Sequence, residues 1–225
     1  MKKSLIIVFF SFFICAVFGC ITKSSYTNNI PTDTETGDCV VEYIGADFVL
    51  EMYQDTSELL QILSESDLIA KVKFTGNRKQ MYESTLSSVI VLDVYKGDSN
   101  LVGNQIDVFE INFFGTKGFY RNISLFNLIQ KDKEYYVFLR EKKYMNDYQN
   151  QLELPRYMCT NVDFSVISTE AEKNAIYNLN EKLFFSDVKE SEYICFSKAE
   201  QEKIESIKSE IIQYFIINNS TSNVQ

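Results

Sequence analysis

Apolar and polar positions divide this chain into stretches of different character. Residues 4–18 (SLIIVFFSFFICAVF) are almost wholly apolar and follow the basic start Met1-Lys2-Lys3. A run of that length fits the apolar core of a secretory signal and is short for crossing a hydrocarbon layer of about 30 Å. Residues 21–38 (ITKSSYTNNIPTDTETGD) have no apolar period and are rich in Thr, Ser, Asn and Asp, the composition of a flexible tether. From residue 39 onward β-branched and aromatic residues take over. Residues 39–44 and 48–53 predict strands broken at Gly45. Asp55 with Glu58 opens a short helix carrying Leu59, Leu60, Ile62 and Leu63 and ending near Ser66.

The middle of the chain predicts strands. Residues 68–74 alternate, with Leu68, Ala70, Val72 and Phe74 on one side, and Thr75-Gly76-Asn77 reads as a turn. Residues 89–95 are apolar on both faces, the pattern of a strand covered on both sides, and Lys96-Gly97-Asp98 closes it. Residues 105–114 (QIDVFEINFF) predict one further strand. Residues 135–139 predict another after the charged turn Lys131-Asp132-Lys133-Glu134, and residues 152–159 and 163–167 predict two that pair with it. Pro155 confines the first of these to an edge or a strand start. Two helices follow. Thr169 and Glu172 cap one carrying Ala175, Ile176 and Leu179. Ser197 and Glu200 cap a second with the stripe Ile204, Ile207, Ile211, Tyr214 and Phe215, and with Glu200/Lys203 and Glu205/Lys208 pairs on its outer side.

Composition narrows the function classes. The 225 residues are 45% hydrophobic and 24% charged, with 22 basic and 31 acidic side chains and a net charge of −9. That balance is globular, and it argues against nonspecific binding to nucleic acid or to anionic lipid headgroups, although a local basic patch is compatible with it. Histidine is absent, which excludes a Ser-His-Asp triad, a Cys-His dyad and histidine-ligated zinc or haem. The acidic, Thr-rich part of the tether lacks the spacing and central Gly of a calcium loop.

The apolar run ends in Val17-Phe18-Gly19-Cys20. Small Gly19 directly before a cysteine resembles the lipobox of bacterial lipoproteins. That resemblance implies cleavage between Gly19 and Cys20, a diacylglycerol group on the Cys20 thiol and an acyl chain on its new amino group. Two or more acyl chains hold a protein stably where one does not. Loss of Lys2 and Lys3 makes the mature chain more acidic still, so the lipid rather than average surface charge does the holding.

A second resemblance covers residues 66–167. Small β-barrel domains of uncharacterised secreted and lipid-anchored proteins of low-GC Gram-positive bacteria share a pattern with Ser66-Asp67-Leu68-Ile69, Val94-Tyr95-Lys96-Gly97, Val102-Gly103-Asn104-Gln105-Ile106-Asp107-Val108 and Lys131-Asp132-Lys133-Glu134-Tyr135-Tyr136-Val137-Phe138-Leu139. Relatives usually carry Gly in the first strand and before the Glu-Tyr, where this chain has Ala70 or Lys71 and Asp132 or Lys133. The pattern implies an OB-like barrel with glycines in its turns. Similar barrels include tissue inhibitors of metalloproteinases, whose activity needs a free N-terminal cysteine amine and does not transfer to a lipidated Cys20.

Catalytic chemistry is sparse. There is no G-x-S-x-G elbow, phosphate loop or dinucleotide fingerprint. Glu42, Glu51, Asp93, Asp107 and Glu110 lie on expected strands, where a carboxylate pair could serve a hydrolase. Phe113, Phe114, Phe119 and Tyr120, with Tyr144 and Tyr148, gather in or beside expected loops as a possible binding face for a protein or glycan, or as loop packing. Cys39, Cys159 and Cys195 allow at most one disulfide within the mature chain. The sequence therefore predicts an α+β fold, a small antiparallel β-barrel or sandwich of OB-like form, preceded by a short helix and followed by C-terminal helices. Its expected parts are a signal at 1–19, a lipidated cysteine and tether at 20–38, one domain at 39–217 and a loose tail at 218–225. The expected function is that of a monomeric, membrane-anchored, non-enzymatic binding or interaction lipoprotein on the extracytoplasmic face. It is expected to have no metal or cofactor beyond the covalent lipid. The alternatives are a carboxylate-based envelope hydrolase, and an inhibitory or protective lipoprotein acting on a membrane partner.

Overall fold

The computed structural model describes residues 38–43, 51, 53, 55–81, 83–115, 118–143, 154–170, 174–178 and 180–217. The signal at 1–19, Cys20, all but the last residue of the tether, the tail, Tyr144, Tyr148 and most of the strand expected at 48–53 lie outside these residues.

The strands are β1 (Val40–Tyr43), β2 (Leu68–Gln80), β3 (Thr85–Lys96), β4 (Gln105–Glu110), β5 (Phe113–Gly115), β6 (Phe119–Asn122), β7 (Glu134–Glu141), β8 (Arg156–Cys159) and β9 (Val166–Ser168). The helices are α1 (Thr56–Ser64), α2 (Phe185–Val188) and α3 (Lys198–Ile212), the last running into a π-helical turn over Gln213–Ile217. Strands β2, β3, β4, β8 and β7 pair in that order and β7 returns to β2, so the sheet closes into a barrel rather than a sandwich. Every pairing in this ring is antiparallel except β4 with β8. Third and fifth barrel strands side by side and parallel, with the fourth closing on the first, is the OB topology. Strand β9 lies beside β8 on the same edge of β7, and β1, β6 and β5 form a separate small sheet.

Alternation along β2 sends Leu68, Ala70, Val72 and Phe74 into the barrel, where they meet Val89, Val91, Ile106, Val108, Tyr135, Val137 and Leu139. The outward residues Ile69 and Phe138 lie under a second cluster built from Leu59 and Leu63 of α1 and Ile204, Ile207 and Ile211 of α3. Phe138 and Phe215 stack edge to face at 5.1 Å. The third cluster joins the small sheet to α2 through Val41, Phe114, Tyr120, Leu183 and Val188.

Each segment of the barrel-like pattern has a structural reason. Ser66 is buried and bonds back to Leu63 O, ending α1. Asp67 accepts from the Glu141 backbone. Gly97 sits at φ +113°, and a Cβ there would stand 2.8 Å from the Asp67 carbonyl oxygen. Asp132 has φ +66°, a left-handed conformation that Asp tolerates better than most residues other than Gly.

Several expectations are corrected. Thr75-Gly76-Asn77 is not a turn. Strand β2 runs through it as a bulge, with the register against β3 shifting between Phe74 and Arg78. The strand expected at 105–114 breaks at Asn112, whose side chain takes the Ile123 and Ser124 backbone N–H groups and donates to Phe126 O, so that β5 leaves for the other sheet. On β3 the outer residues Ile90 and Leu92 are exposed rather than covered. The helix expected after Thr169 is absent from the described residues 174–178. Asn174 instead accepts from the Glu192 backbone, and Ile176 bridges Cys195. Helix α3 does dock by its Ile stripe, but the π turn buries Phe215 and Ile216 and leaves Tyr214 outside. Lys208 is buried too, not on the outer side.

Candidate functional site

The bulge in β2 sets up the site. Thr75 Oγ1 donates to Ser88 O across the strand pair, and Gly76 takes φ +89°. This brings Phe74 and Arg78 together, with the guanidinium 4.6 Å from the ring centroid. Arg78 is fixed further by Nε to Ser87 Oγ at 3.0 Å, by a short bond to Ile129 O and by Glu110 Oε1 at 3.5 Å. Opposite the bulge runs the loop leading into β7. Glu110 Oε2 holds the Ile129 N–H at 2.7 Å, and the Tyr135 hydroxyl accepts from the Gln130 N–H at 2.9 Å. Asn127 ties this loop to the end of α2 by donating to Val188 O and Ser191 O.

Between these walls and Phe185 of α2 lies a groove of about 520 Å³, within the range of roughly 300–1,000 Å³ typical of small-molecule sites. Arg78, Lys131, Lys133 and Lys189 line it against one carboxylate, Glu190, and Phe74, Leu128 and Phe185 supply apolar wall. The Gln130 side chain also lines it. Its Nε2 donates to Ser191 O, and its buried Oε1 has no hydrogen-bond partner.

The aromatics, read as a binding face or as loop packing, come together and pack inward. Phe113, Phe114 and Tyr120 are buried and Phe119 is half-buried. Phe114 and Tyr120 lie 4.9 and 4.7 Å from Phe185, so they back the groove wall instead of offering a surface.

The acids divide by place. Glu42 is exposed and pairs with Arg121, while Glu51 and Asp93 are exposed. Asp107 is buried and accepts from Ser88 Oγ. Glu110 and Asp163 are buried about a second void of about 20 Å³, lined also by Asn112, Ser124 and Asn127. That volume holds one water and has polar atoms to bind it, but no sugar ring. Burial raises the pKa of Glu110, against the opposing pull of Arg78 and the bonds from Ser87 and Ile129. Burial likewise raises that of Asp163, against the Leu125 and Tyr53 bonds.

This has a sign that can be checked. A carboxyl whose pKa is raised on folding binds its proton more tightly in the native state, so its contribution is full below the unfolded pKa and is lost as pH rises through the folded value. The window opens at the ordinary values of 3.8 and 4.5 and extends upward. The urea unfolding midpoint is therefore expected to rise as pH falls from about 7 to about 5. The Glu110→Gln/Asp163→Asn double variant should flatten that slope. A wild-type midpoint that falls over the same window would show that carboxylates of lowered pKa dominate.

None of the three described thiols is in a disulfide. Burial pushes Cys159 up to about 12 and Cys195 up to about 11, and raises Cys39, which keeps them protonated and unreactive at neutral pH. Among the described residues no group of three Cys, Asp or Glu side chains is placed to hold a metal ion.

Sequence reasoning missed the groove. Arg78 lies just after Thr75-Gly76-Asn77, Lys131 and Lys133 lie in the charged turn, and Lys189 carries no reading. Arg78, Lys131 and Lys133 lie inside residues 66–167 and Lys189 beyond them, and no local pattern links the four. No family model matches the chain, and no curated protein matches it.

Proposed function

We propose that this protein is a lipid-anchored, non-enzymatic binding module on the extracytoplasmic face of the cell membrane, with the groove between β2 and α2 as its recognition site. The observation that carries this reading is the separation of space from acid chemistry. The ligand-sized space is walled by cations, while the buried pair Glu110 and Asp163 faces a void the size of one water. A carboxylate hydrolase needs both features in one place. The anchor follows from Gly19-Cys20 after the apolar run, with residues 20–38 as the tether to the barrel.

Expression of the full chain in a bacterial host tests the anchor. Wild-type protein extracted from membranes should begin at Cys20 and carry the added mass of a diacylglyceryl and an acyl group. Cys20→Ala should retain residues 1–19 and carry no lipid, because the thiol is the acyl acceptor. Intact-mass measurement of both decides it. A wild-type chain that keeps residues 1–19 unmodified would sink the anchor.

A further inference from the structure

We infer that the groove between β2 and α2 takes an organic phosphate ester, a glycerol phosphate being the simplest probe. The inference rests on the binding-module reading and names its ligand class. Charge comes first. In a chain of 22 basic and 31 acidic side chains, this one concavity gathers Arg78, Lys131, Lys133 and Lys189 against Glu190. A recess with low-dielectric walls focuses that field, while the opposing net charge is screened beyond about 8–10 Å at physiological salt.

The kind of anion follows from how the cations are held. A planar carboxylate is best met by the fork of a free arginine. The Arg78 fork is already spent on Ser87, Ile129 O and Glu110, and its plane lies over Phe74. What remains to move onto a ligand is the ammonium groups of Lys131 and Lys189, both of which are exposed. Ammonium groups act as point charges approaching from several directions. That arrangement suits the tetrahedral oxyanion of a phosphate monoester or diester better than a planar carboxylate.

The rest of the ligand is read from the walls. Leu128 and Phe185 leave apolar wall beside the charge, and about 520 Å³ is far more than a bare phosphate fills. Such an ester could be a free metabolite or the headgroup of a membrane lipid, and the chemistry is shared.

Calorimetric titration of the full chain in uncharged detergent at low salt separates these sources. The probes are glycerol 3-phosphate, inorganic phosphate, dihexanoyl phosphatidylglycerol and dihexanoyl phosphatidylcholine. Glycerol 3-phosphate and the phosphatidylglycerol should bind, more tightly than inorganic phosphate or the zwitterionic lipid, and added salt should weaken both. Equal binding of the two points to a free ester, and tenfold tighter binding of the lipid points to a headgroup. Lys131→Glu/Lys189→Glu should weaken binding about tenfold or more, since two charges are reversed. Its unfolding midpoint should stay near wild type because both side chains are exposed. Lys198→Glu, on α3 and away from the groove, should bind normally. Binding of neither probe, or binding unchanged in the double variant, would overturn the inference. Intact mass is read on the same preparation. A lipidated chain that binds neither probe loses the ligand assignment and keeps its anchor. An unlipidated chain that binds loses only the anchor.

Discussion

Ile211→Asp is expected to destabilise the protein by at least several kcal/mol, a large share of a typical total of about 5–15. Ile211 is completely buried and shares a cluster with Leu63, Phe138, Ile207 and Phe215. An aspartate there either stays ionised without a partner or takes up a proton, and both cost stability. The control is Ser206→Asp on the exposed face of the same helix, expected to change stability by roughly half a kcal/mol. Urea unfolding of the full chain in detergent measures the difference. If the two substitutions behave alike, α3 is not held through this face. Because the stripe covers the outer side of β2 and β7, it is unavailable for pairing with a second copy. Sedimentation of the wild type should show a monomer once the detergent mass is subtracted.

The parts of the fold legible in the sequence are those where one local pattern decides. Leu68, Ala70, Val72 and Phe74 alternate because one side fills the barrel, and Ile204, Ile207 and Ile211 recur at helical spacing because one side covers it. The misread parts are those where a side chain takes over a backbone bond. Asn112 looks like an ordinary residue inside a strand, yet its amide caps the 123–126 loop and turns the chain between sheets. Asn174 sits where a helix was expected, but its Oδ1 serves the Glu192 and Tyr193 backbone. Thr75-Gly76-Asn77 has turn composition, and only pairing with β3 shows that the chain bulges and carries on.

The candidate site was less legible for a related reason. Its cations come from a strand bulge, from a loop and from the residue after a short helix. Only closure of the barrel and the Asn127 bonds to the end of α2 bring those segments to one groove. The aromatic hairpin was easier to see because Phe113, Phe114, Phe119 and Tyr120 are close in sequence. Nearness along the chain could not say that they pack behind Phe185.

Lys208→Met is expected to cost about 3–5 kcal/mol, the range for breaking a buried ion pair from one side. Lys208 Nζ lies 2.6 Å from Glu192 Oε2, with the two side chains 4% and 3% exposed. The other Glu192 oxygen accepts from the Ser168 N–H, so this pair joins α3 to the end of β9 through the barrel's outer layer. Without the ammonium, the Glu192 carboxylate stays in that dry site without the Lys208 cation that balances it. Glu205, the second partner of Lys208 at 3.3 Å, is 43% exposed and keeps both water and the Tyr193 hydroxyl, so it adds little to the loss. The informative variant is Glu192→Gln/Lys208→Met. It removes both charges, keeps an oxygen for Ser168 and places a thioether near the Tyr193 ring, where Nζ now lies 5.7 Å from the centroid. The double variant should be more stable than Lys208→Met alone, because the stranded charge is gone. Urea unfolding of wild type, both single variants and the double closes the cycle. If the double variant falls by the sum of the singles, the pair is not coupled, and Lys208 stabilises the protein through its alkyl packing instead.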